Sequence, residues 1–144
     1  MTRFRRDDGS AAIELVLVAP AVMMVFSIAV AAGRIYVDHN ALDTAAQAGA
    51  RQASISRDAV TADAQARAAV GASLSSDGLH CSGVPDVTVD TSGFSAPIGQ
   101  PATVTVTVAC TVPLSDLVVP GLPLPGTHSE SASFTSVLDL YRSR

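Results

Sequence analysis

The sequence predicts an α+β fold, in which a long N-terminal transmembrane helix continues into one or more helical segments and a small three-stranded antiparallel sheet follows. Three observations in the 144-residue chain support this prediction. Residues 15–32 carry no charge, residues 34–76 are rich in Ala at helical spacing, and residues 102–112 alternate Val with Thr. The period of the apolar residues therefore changes from helical to β-type along the chain.

Residues 10–33 are predicted to form the membrane-spanning helix. A run of roughly 18–20 apolar residues, with a rise of ~1.5 Å each, spans the ~30 Å hydrocarbon core of a bilayer. In hydrocarbon the backbone must satisfy its own hydrogen bonds, which favours a helix despite the many Val residues. Because Pro20 has no N–H to donate to the carbonyl oxygen of Val16, we expect a kink at this position.

The flanking charges predict the orientation of this helix. Arginines precede the apolar run at positions 3, 5 and 6, whereas only Arg34 follows it closely. The basic flank stays in the cytoplasm, so the residues after about 34 are expected outside. The predicted organisation is a cytoplasmic leader (1–9), a transmembrane helix (10–33), extracytoplasmic helices (34–76) and a β-rich domain closed by a disulfide (77–144).

Glu14 is an acid at the N-terminal edge of the apolar run. An ionised carboxylate at the centre of a membrane helix costs ~2.5–3.5 kcal/mol on insertion scales, and less near the edge. One interpretation is that Glu14 lies in the headgroup zone without a further role. The other is that cleavage after Gly9 leaves a cationic α-amino group on Ser10, which neutralises Glu14 of the same chain or of a neighbour.

Several short motifs follow one another between residues 9 and 51. They are Gly9-Ser10-Ala11-Ala12-Ile13-Glu14, the pair Ala19-Pro20, Gly33-Arg34 at the end of the apolar run, and Ala45-Ala46-Gln47-Ala48-Gly49-Ala50-Arg51 beyond it. In this order and spacing they resemble the TadE/TadG group of pseudopilins, from the tight-adherence (Flp-type) pilus assembly system. The resemblance covers about a third of the chain.

The resemblance implies a pilin-like, non-enzymatic protein with a link to cell adhesion. It also implies cleavage between Gly9 and Ser10 by a prepilin-type peptidase, and a role for Glu14 in peptidase recognition or subunit docking. Major pilins usually begin the mature chain with an aromatic or large residue, so Ser10 fits a minor component better. The implied partners are the peptidase, other pilus subunits or assembly proteins, and the lipid bilayer.

The implied location is the bacterial cytoplasmic membrane, as a single-pass protein with its N-terminus inside, either retained there or incorporated in a surface filament. A second interpretation is a secreted or membrane-anchored small binding module with an N-terminal signal sequence. Ala29-Val30-Ala31 resembles a signal-peptidase site behind an arginine-rich start. However, the apolar run is long for a signal peptide, whose apolar region is typically about 7–15 residues, and the helical pattern continues past that site.

Beyond the membrane, helical character continues to about residue 54. One shallow face of this stretch suits packing on the chain's own domain or on an assembly partner, and it comprises Ile35, Leu42, Ala46, Gly49 and Ala53. Ser56 is predicted to cap a second helix over 57–74, with Asp58 in its first turn. Whether these stretches form one helix or two is left open.

Strands are predicted near residues 87–90, 102–112 and 129–140. The second is the clearest and is expected to be central, with one buried face made of Val104, Val106, Val108, Cys110 and Val112. The last strand should turn one face inward, comprising Ala132, Phe134, Ser136 and Leu138. The Pro-rich, apolar stretch 113–127 is expected to fold back on the sheet, or alternatively to meet a partner or the bilayer.

Cys81 and Cys110 both fall on the predicted outer side of the membrane. An even number of cysteines in an oxidising compartment indicates a disulfide, although two free buried thiols are the alternative. His80 lies beside Cys81, but no second Cys/His pair stands at zinc-ligand spacing, so no metal site is predicted.

The sequence contains no pattern typical of an active site. It has no Gly-x-Ser-x-Gly turn and no phosphate-binding glycine loop, and its three histidines, His39, His80 and His128, are scattered. The formal net charge of −4 offers no basic surface for nucleic acid. We therefore predict no enzymatic activity, no cofactor, no nucleic acid and no small-molecule substrate.

Overall fold

The structure, a computed structural model, describes residues 8–97, 99–113 and 126–139, and the side chains from residue 13 onward within these ranges. Its elements, in chain order, are helix α1 (Asp8–Ser54), helix α2 (Ala59–Ser76), strand β1 (Asp86–Asp90), a short 3-10 helix (Ser92–Ser95), strand β2 (Thr103–Pro113) and strand β3 (Thr127–Val137). The predicted α+β arrangement of a long apolar helix, a second helix and a three-stranded antiparallel sheet is confirmed.

Helix α1 joins the apolar run to the folded domain without a break. Its 47 residues, which include Pro20, correspond to a rod of roughly 70 Å at ~1.5 Å per residue. The large apolar side chains of its first half are exposed, whereas from Ala41 onward one face is buried against the rest of the chain. One helix therefore carries both the predicted span and part of the domain core.

A turn over residues 55–58 separates the two helices, and the cap of α2 is Asp58 rather than the predicted Ser56. Oδ1 of Asp58 accepts the backbone N–H of Thr61 at 2.8 Å, and Oδ2 accepts the hydroxyl of Thr61 at 2.8 Å. The hydroxyl of Ser56 donates instead to the carbonyl oxygen of Gln52, at 3.3 Å. A carboxylate suits this position because it accepts two hydrogen bonds and lies at the positive end of the helix dipole.

The sheet has the order β1-β2-β3, and both pairings are antiparallel, so β2 is the central strand as predicted. Val106 of β2 lies opposite Val89 of β1 and Phe134 of β3. The alternation of Val and Thr in β2 gives the strictly alternating burial that was predicted. Strand β3 ends one residue before Leu138, which is buried and donates its N–H to the carbonyl oxygen of Ala102 at 2.9 Å.

The core lies between the second half of α1, helix α2 and one face of the sheet. Its fully buried side chains are small or β-branched apart from Leu42, and include Ala45, Ala46, Ala50, Ala53, Ala62, Ala66, Val70, Val104, Val106 and Val108. Gly49 lies where these layers approach each other closely. A Cβ added there would lie 2.7 Å from Val70 Cγ2 and 3.3 Å from Val106 Cγ1.

A disulfide joins Cys81, which follows α2, to Cys110 near the end of β2, with the two Cα atoms 5.4 Å apart. Cys110 is buried on the core face of β2, and Cys81 is partly buried against the core. Next to the bridge, the N–H of Ser82 donates to the carbonyl oxygen of Thr111 at 2.7 Å. The predictions for most of the leader, for most of the stretch 113–127 and for the C-terminal tail lie outside the described residues.

Candidate membrane and assembly segment

The first half of α1 presents apolar side chains on all sides. From Ile13 to Val37 its large apolar side chains are 37% to 73% exposed, apart from the partly buried Ile35. An 18-residue window of this helix has a mean hydropathy of 2.6, and none of its residues is buried in the structure. An exposed apolar surface of this extent in water would be an aggregation or interaction site. Its length and composition are compatible with single-pass membrane anchoring.

The hydroxyl of Ser27, the polar side chain within this apolar run, forms its hydrogen bond within the helix. The hydroxyl of Ser27 donates to the carbonyl oxygen of Met23, one turn earlier, at 2.7 Å. In hydrocarbon an unpaired hydroxyl would carry a desolvation penalty, which this bond reduces. The run therefore has no polar side chain that needs water along residues 15–32.

The predicted cleavage site and Glu14 lie on the same helix. Gly9 and Ser10 fall in the first turn of α1, and Glu14 follows in the second turn with an exposed side chain. The first N–H groups of any helix lack intrahelical partners, so opening this turn for a protease costs few hydrogen bonds. The spacing leaves about one helical turn between the α-amino group that cleavage would create and the carboxyl group of Glu14.

Past the apolar run, α1 reaches strand β3 through a polar cluster that sequence reasoning missed. Nδ1 of His39 lies 3.5 Å from Oε2 of Glu130, and Nε2 of His39 lies 3.6 Å from Oδ2 of Asp43. Nε2 of His128 lies 2.6 Å from Oε1 of Glu130. The hydrogen bond with His128 lowers the pKa of Glu130, and the charges of His128 and His39 act in the same direction while burial opposes them.

This cluster links α1 to β3 where α1 enters the folded domain. His39 and Glu130 are far apart in sequence, so no local motif connects them, and only the packing of α1 on the sheet brings them together. Among the residues that the structure describes, no group of three or more His, Cys, Asp or Glu side chains is arranged to hold a metal ion. The contact between His39 and Glu130 joins α1 to β3.

A surface hollow of about 520 Å³ lies at the opposite end of the domain, beside the α1–α2 turn. It opens widely to solvent, and its lining includes Arg57, Asp58, Ser92 and Phe94. The carboxyl group of Asp58 is already engaged in capping α2. This hollow offers no nucleophile paired with a base in the described lining.

The motifs of the first 51 residues and the continuous helix that carries them agree with a known family. Residues 9–51 match the family model described as TadE-like protein. The TadE-like segment includes Gly9, Glu14, the whole apolar run and the first part of the packed face of α1. The resemblance stated from the motifs is thereby confirmed for these residues. No curated protein and no solved structure was found to match the chain.

The TadE-like segment coincides with a structural unit, because it starts one residue after α1 begins and ends three residues before α1 ends. The match links residues 9–51 to a family of Tad pilus assembly. It thus indicates protein partners and a membrane location for the apolar helix. Helix α2 and the sheet lie outside the matched residues.

Proposed function

We propose that the protein is a minor pilin or pseudopilin-like component of a bacterial Flp-type (tight-adherence) pilus assembly system. It acts by protein–protein association after a prepilin-type peptidase has cleaved it between Gly9 and Ser10. The observation that carries this proposal is the TadE-like match, which runs from the cleavage site through the apolar run into the packed part of α1. The small residue at position 10 supports a minor component.

In this proposal residues 1–9 are the cytoplasmic leader, residues 10–33 cross the cytoplasmic membrane, and the domain from residue 34 lies outside. The arginines of the leader support this orientation. Cleavage replaces the leader by the α-amino group of Ser10, which is cationic at neutral pH. Pairing with this cation offsets the cost of keeping the carboxylate of Glu14 at the edge of the hydrocarbon.

Assembly then proceeds through contacts between apolar helices in the membrane. The side chains of the apolar run are free of contacts with the described core, so this surface remains accessible to other helices. Since α1 has no break between the run and the domain, a contact made in the membrane also fixes the position of the domain outside it. This coupling is what a subunit of an ordered assembly requires.

Mass spectrometry of the mature N-terminus, after expression with and without a prepilin-type peptidase, tests the proposal. We expect a chain that begins at Ser10 when the peptidase is present, and the full leader when it is absent. A mature chain that begins at Met1 in both cases would contradict the proposal. A chain that begins at Ala32 and is released into the medium would favour the secreted binding module instead.

The variant Glu14→Gln tests the role of the acid. The neutral amide of Gln cannot form an ion pair with a cation. The variant should therefore remain in the membrane fraction, but it should be cleaved or assembled with other pilus subunits less efficiently. Asp63→Asn is the matched control, because Asp63 is a partly exposed carboxylate on α2, paired with Arg67 and outside the TadE-like segment. Equal behaviour of the two variants in co-purification and cleavage assays would remove Glu14 from the proposed mechanism.

A further inference from the structure

Four strongly exposed apolar side chains of the folded domain have no explanation in the proposed function: Ile55, Val60, Val84 and Val137. Val84 has an exposed fraction of 96%, the highest among the exposed large apolar side chains of the described residues. It belongs to the short segment between the disulfide at Cys81 and the first residue of β1, Asp86. A single exposed Val is common on protein surfaces, so the position of Val84 in the domain matters more than its exposure.

The contacts of this segment fix which end of the domain carries Val84. The bridge to Cys110 and the hydrogen bond from Ser82 to Thr111 hold it against the last part of β2. Thr111 lies opposite Ser129 of β3, and the next residue, Glu130, contacts His39 of α1. Val84 is therefore held at the end where α1 enters the domain, and not at the end where α1 turns into α2.

The rise of α1 gives the height of this end above the apolar run. His39 lies six residues beyond Gly33, which corresponds to about 9 Å along the helix axis, and Tyr36 and Val37 lie at about 5–6 Å. The headgroup layer extends about 5–7 Å beyond each side of the hydrocarbon core. A typical tilt of about 20° lowers one side of the domain further.

We propose that Tyr36, Val37 and Val84, here called the membrane-side rim, contact the phospholipid headgroup layer of the bilayer that α1 crosses. The proposal rests on the membrane anchoring in the proposed function and adds a second lipid contact, made by the folded domain. Tyr36 and Val37 are 67% and 63% exposed and continue the apolar surface of α1. Tyr is favoured at this depth because its ring is apolar and its hydroxyl is polar.

One nearby cation and a covalent restraint also fit a lipid surface. Arg34 lies between the apolar run and Tyr36, where a cation meets the lipid phosphates. The disulfide already restrains the segment that carries Val84, so little conformational entropy is lost when it meets the membrane. The rim would thus limit the tilt of the domain relative to the bilayer.

The chain contains no Trp, so a single introduced Trp is a clean fluorescent reporter. Three variants of the full chain, Val84→Trp, Val60→Trp and Val25→Trp, would be reconstituted in phosphatidylethanolamine–phosphatidylglycerol vesicles. Val60 is the matched control, because it is 81% exposed in the first turn of α2, at the opposite end of the domain. Val25 lies within the apolar run and reports on anchoring itself. Each variant is compared in emission wavelength and in quenching by lipids that carry nitroxide on the headgroup or bromine on the acyl chain.

We expect Trp at position 25 to be quenched by brominated chains, and Trp at position 84 to be blue-shifted and quenched by headgroup nitroxide. Trp at position 60 should emit as in water and escape both quenchers. If position 25 is quenched while positions 84 and 60 behave alike, the rim proposal is wrong and anchoring stands. If position 25 is not quenched, anchoring fails and the rim proposal fails with it. A blue shift at position 84 that depends on protein concentration and ignores both quenchers would mean contact with a second copy, and would also overturn the proposal.

Discussion

Gly49 sets how closely α1 can approach the rest of the core. A Cβ at this position would lie 2.7 Å from Val70 Cγ2 and 3.3 Å from the carbonyl oxygen of Ala66. The second neighbour is backbone and has little room to move. The absence of a side chain therefore allows the helix to pack against both α2 and β2, which is why a residue of low helix propensity occurs within the last two turns of this helix.

A matched pair of glycine substitutions tests this role. Gly49→Ala should destabilise the fold by about 1–3 kcal/mol through overpacking, less the gain in helix propensity of up to about 1 kcal/mol. Gly71→Ala, in α2, has nothing within 4 Å of the new Cβ and should instead stabilise the fold by about 1 kcal/mol. Urea unfolding of the purified full-length chain measures both. A Gly49→Ala chain as stable as Gly71→Ala would mean that the layers are not in close contact.

Asp58 accounts for the start of α2, and its effect depends on pH. The backbone hydrogen bond from Thr61 lowers the pKa of Asp58, and the hydroxyl of Thr61 adds to this. Because the pKa is lower in the folded state, the carboxylate stabilises the fold above its unfolded pKa of about 3.9, and this contribution is lost as the pH falls through the folded-state pKa.

We therefore expect Asp58→Ala to lower the urea midpoint at pH 7, and the difference from the unmodified chain to shrink as the pH falls below about 4. Ser56→Ala is the control, since the hydroxyl of Ser56 bonds only back to Gln52 in the preceding turn and should matter little. If Ser56→Ala had the larger effect, the cap would lie at the position that the sequence suggested.

At the scale of elements, the disulfide connects the segment after α2 to the central strand. The two cysteines are 29 residues apart, and closing a loop of this size contributes about 3 kcal/mol or more in a chain-entropy model. Much of the remaining core consists of Ala and Val, which bury little area per residue. A covalent closure therefore matters more in this domain than it would in one with a large aromatic core.

Replacing both cysteines by Ser should lower the free energy of unfolding by about 2–5 kcal/mol. It should also make the segment before β1 more sensitive to proteolysis, since Ser82 would keep only its backbone hydrogen bond to Thr111. Membrane fractionation should be unchanged, because the apolar run does not contact the disulfide. A doubly substituted chain with the same urea midpoint would show that the noncovalent core suffices.

Elements with a strong local period were predictable from the sequence, and contacts between distant elements were not. The Val face of β2 was predicted in full, because strict alternation places every second side chain on the core side. The cap of α2 was misplaced by two residues, since Ser56 and Asp58 are both good capping residues and only the turn geometry selects between them.

The candidate membrane and assembly segment shows the same difference between local features and contacts of distant elements. The apolar run was predictable because its character is local, whereas the cleavage site at Gly9 and the role of Glu14 stay predictions that rest on the match to a family. The cluster of His39, His128 and Glu130 was not, because it depends on how α1 packs on β3. The separation of α1 from α2 was left open by the sequence, since Ala-rich stretches on both sides of the turn favour helix equally.

At the scale of the whole molecule, the layout is a long apolar rod with a small folded domain at one end. The second half of α1 contributes one wall of the core, so the domain cannot fold independently of the helix that leads to the membrane. The formal net charge of the chain is −4, which does not favour nucleic acid as a partner. The proposed function therefore rests on protein contacts along the rod.

An unbroken helix between the apolar run and the core also fixes the rotation of the domain around the helix axis, relative to the run. Each residue added or removed between Gly33 and Ala41 would rotate the domain by about 100° around the helix axis relative to the run, and shift it by about 1.5 Å. A subunit that meets its neighbours both within the bilayer and above it could not tolerate such a rotation. The number of residues in this stretch is therefore constrained, because it sets the rotation of the domain relative to the apolar run, whichever residues occupy it.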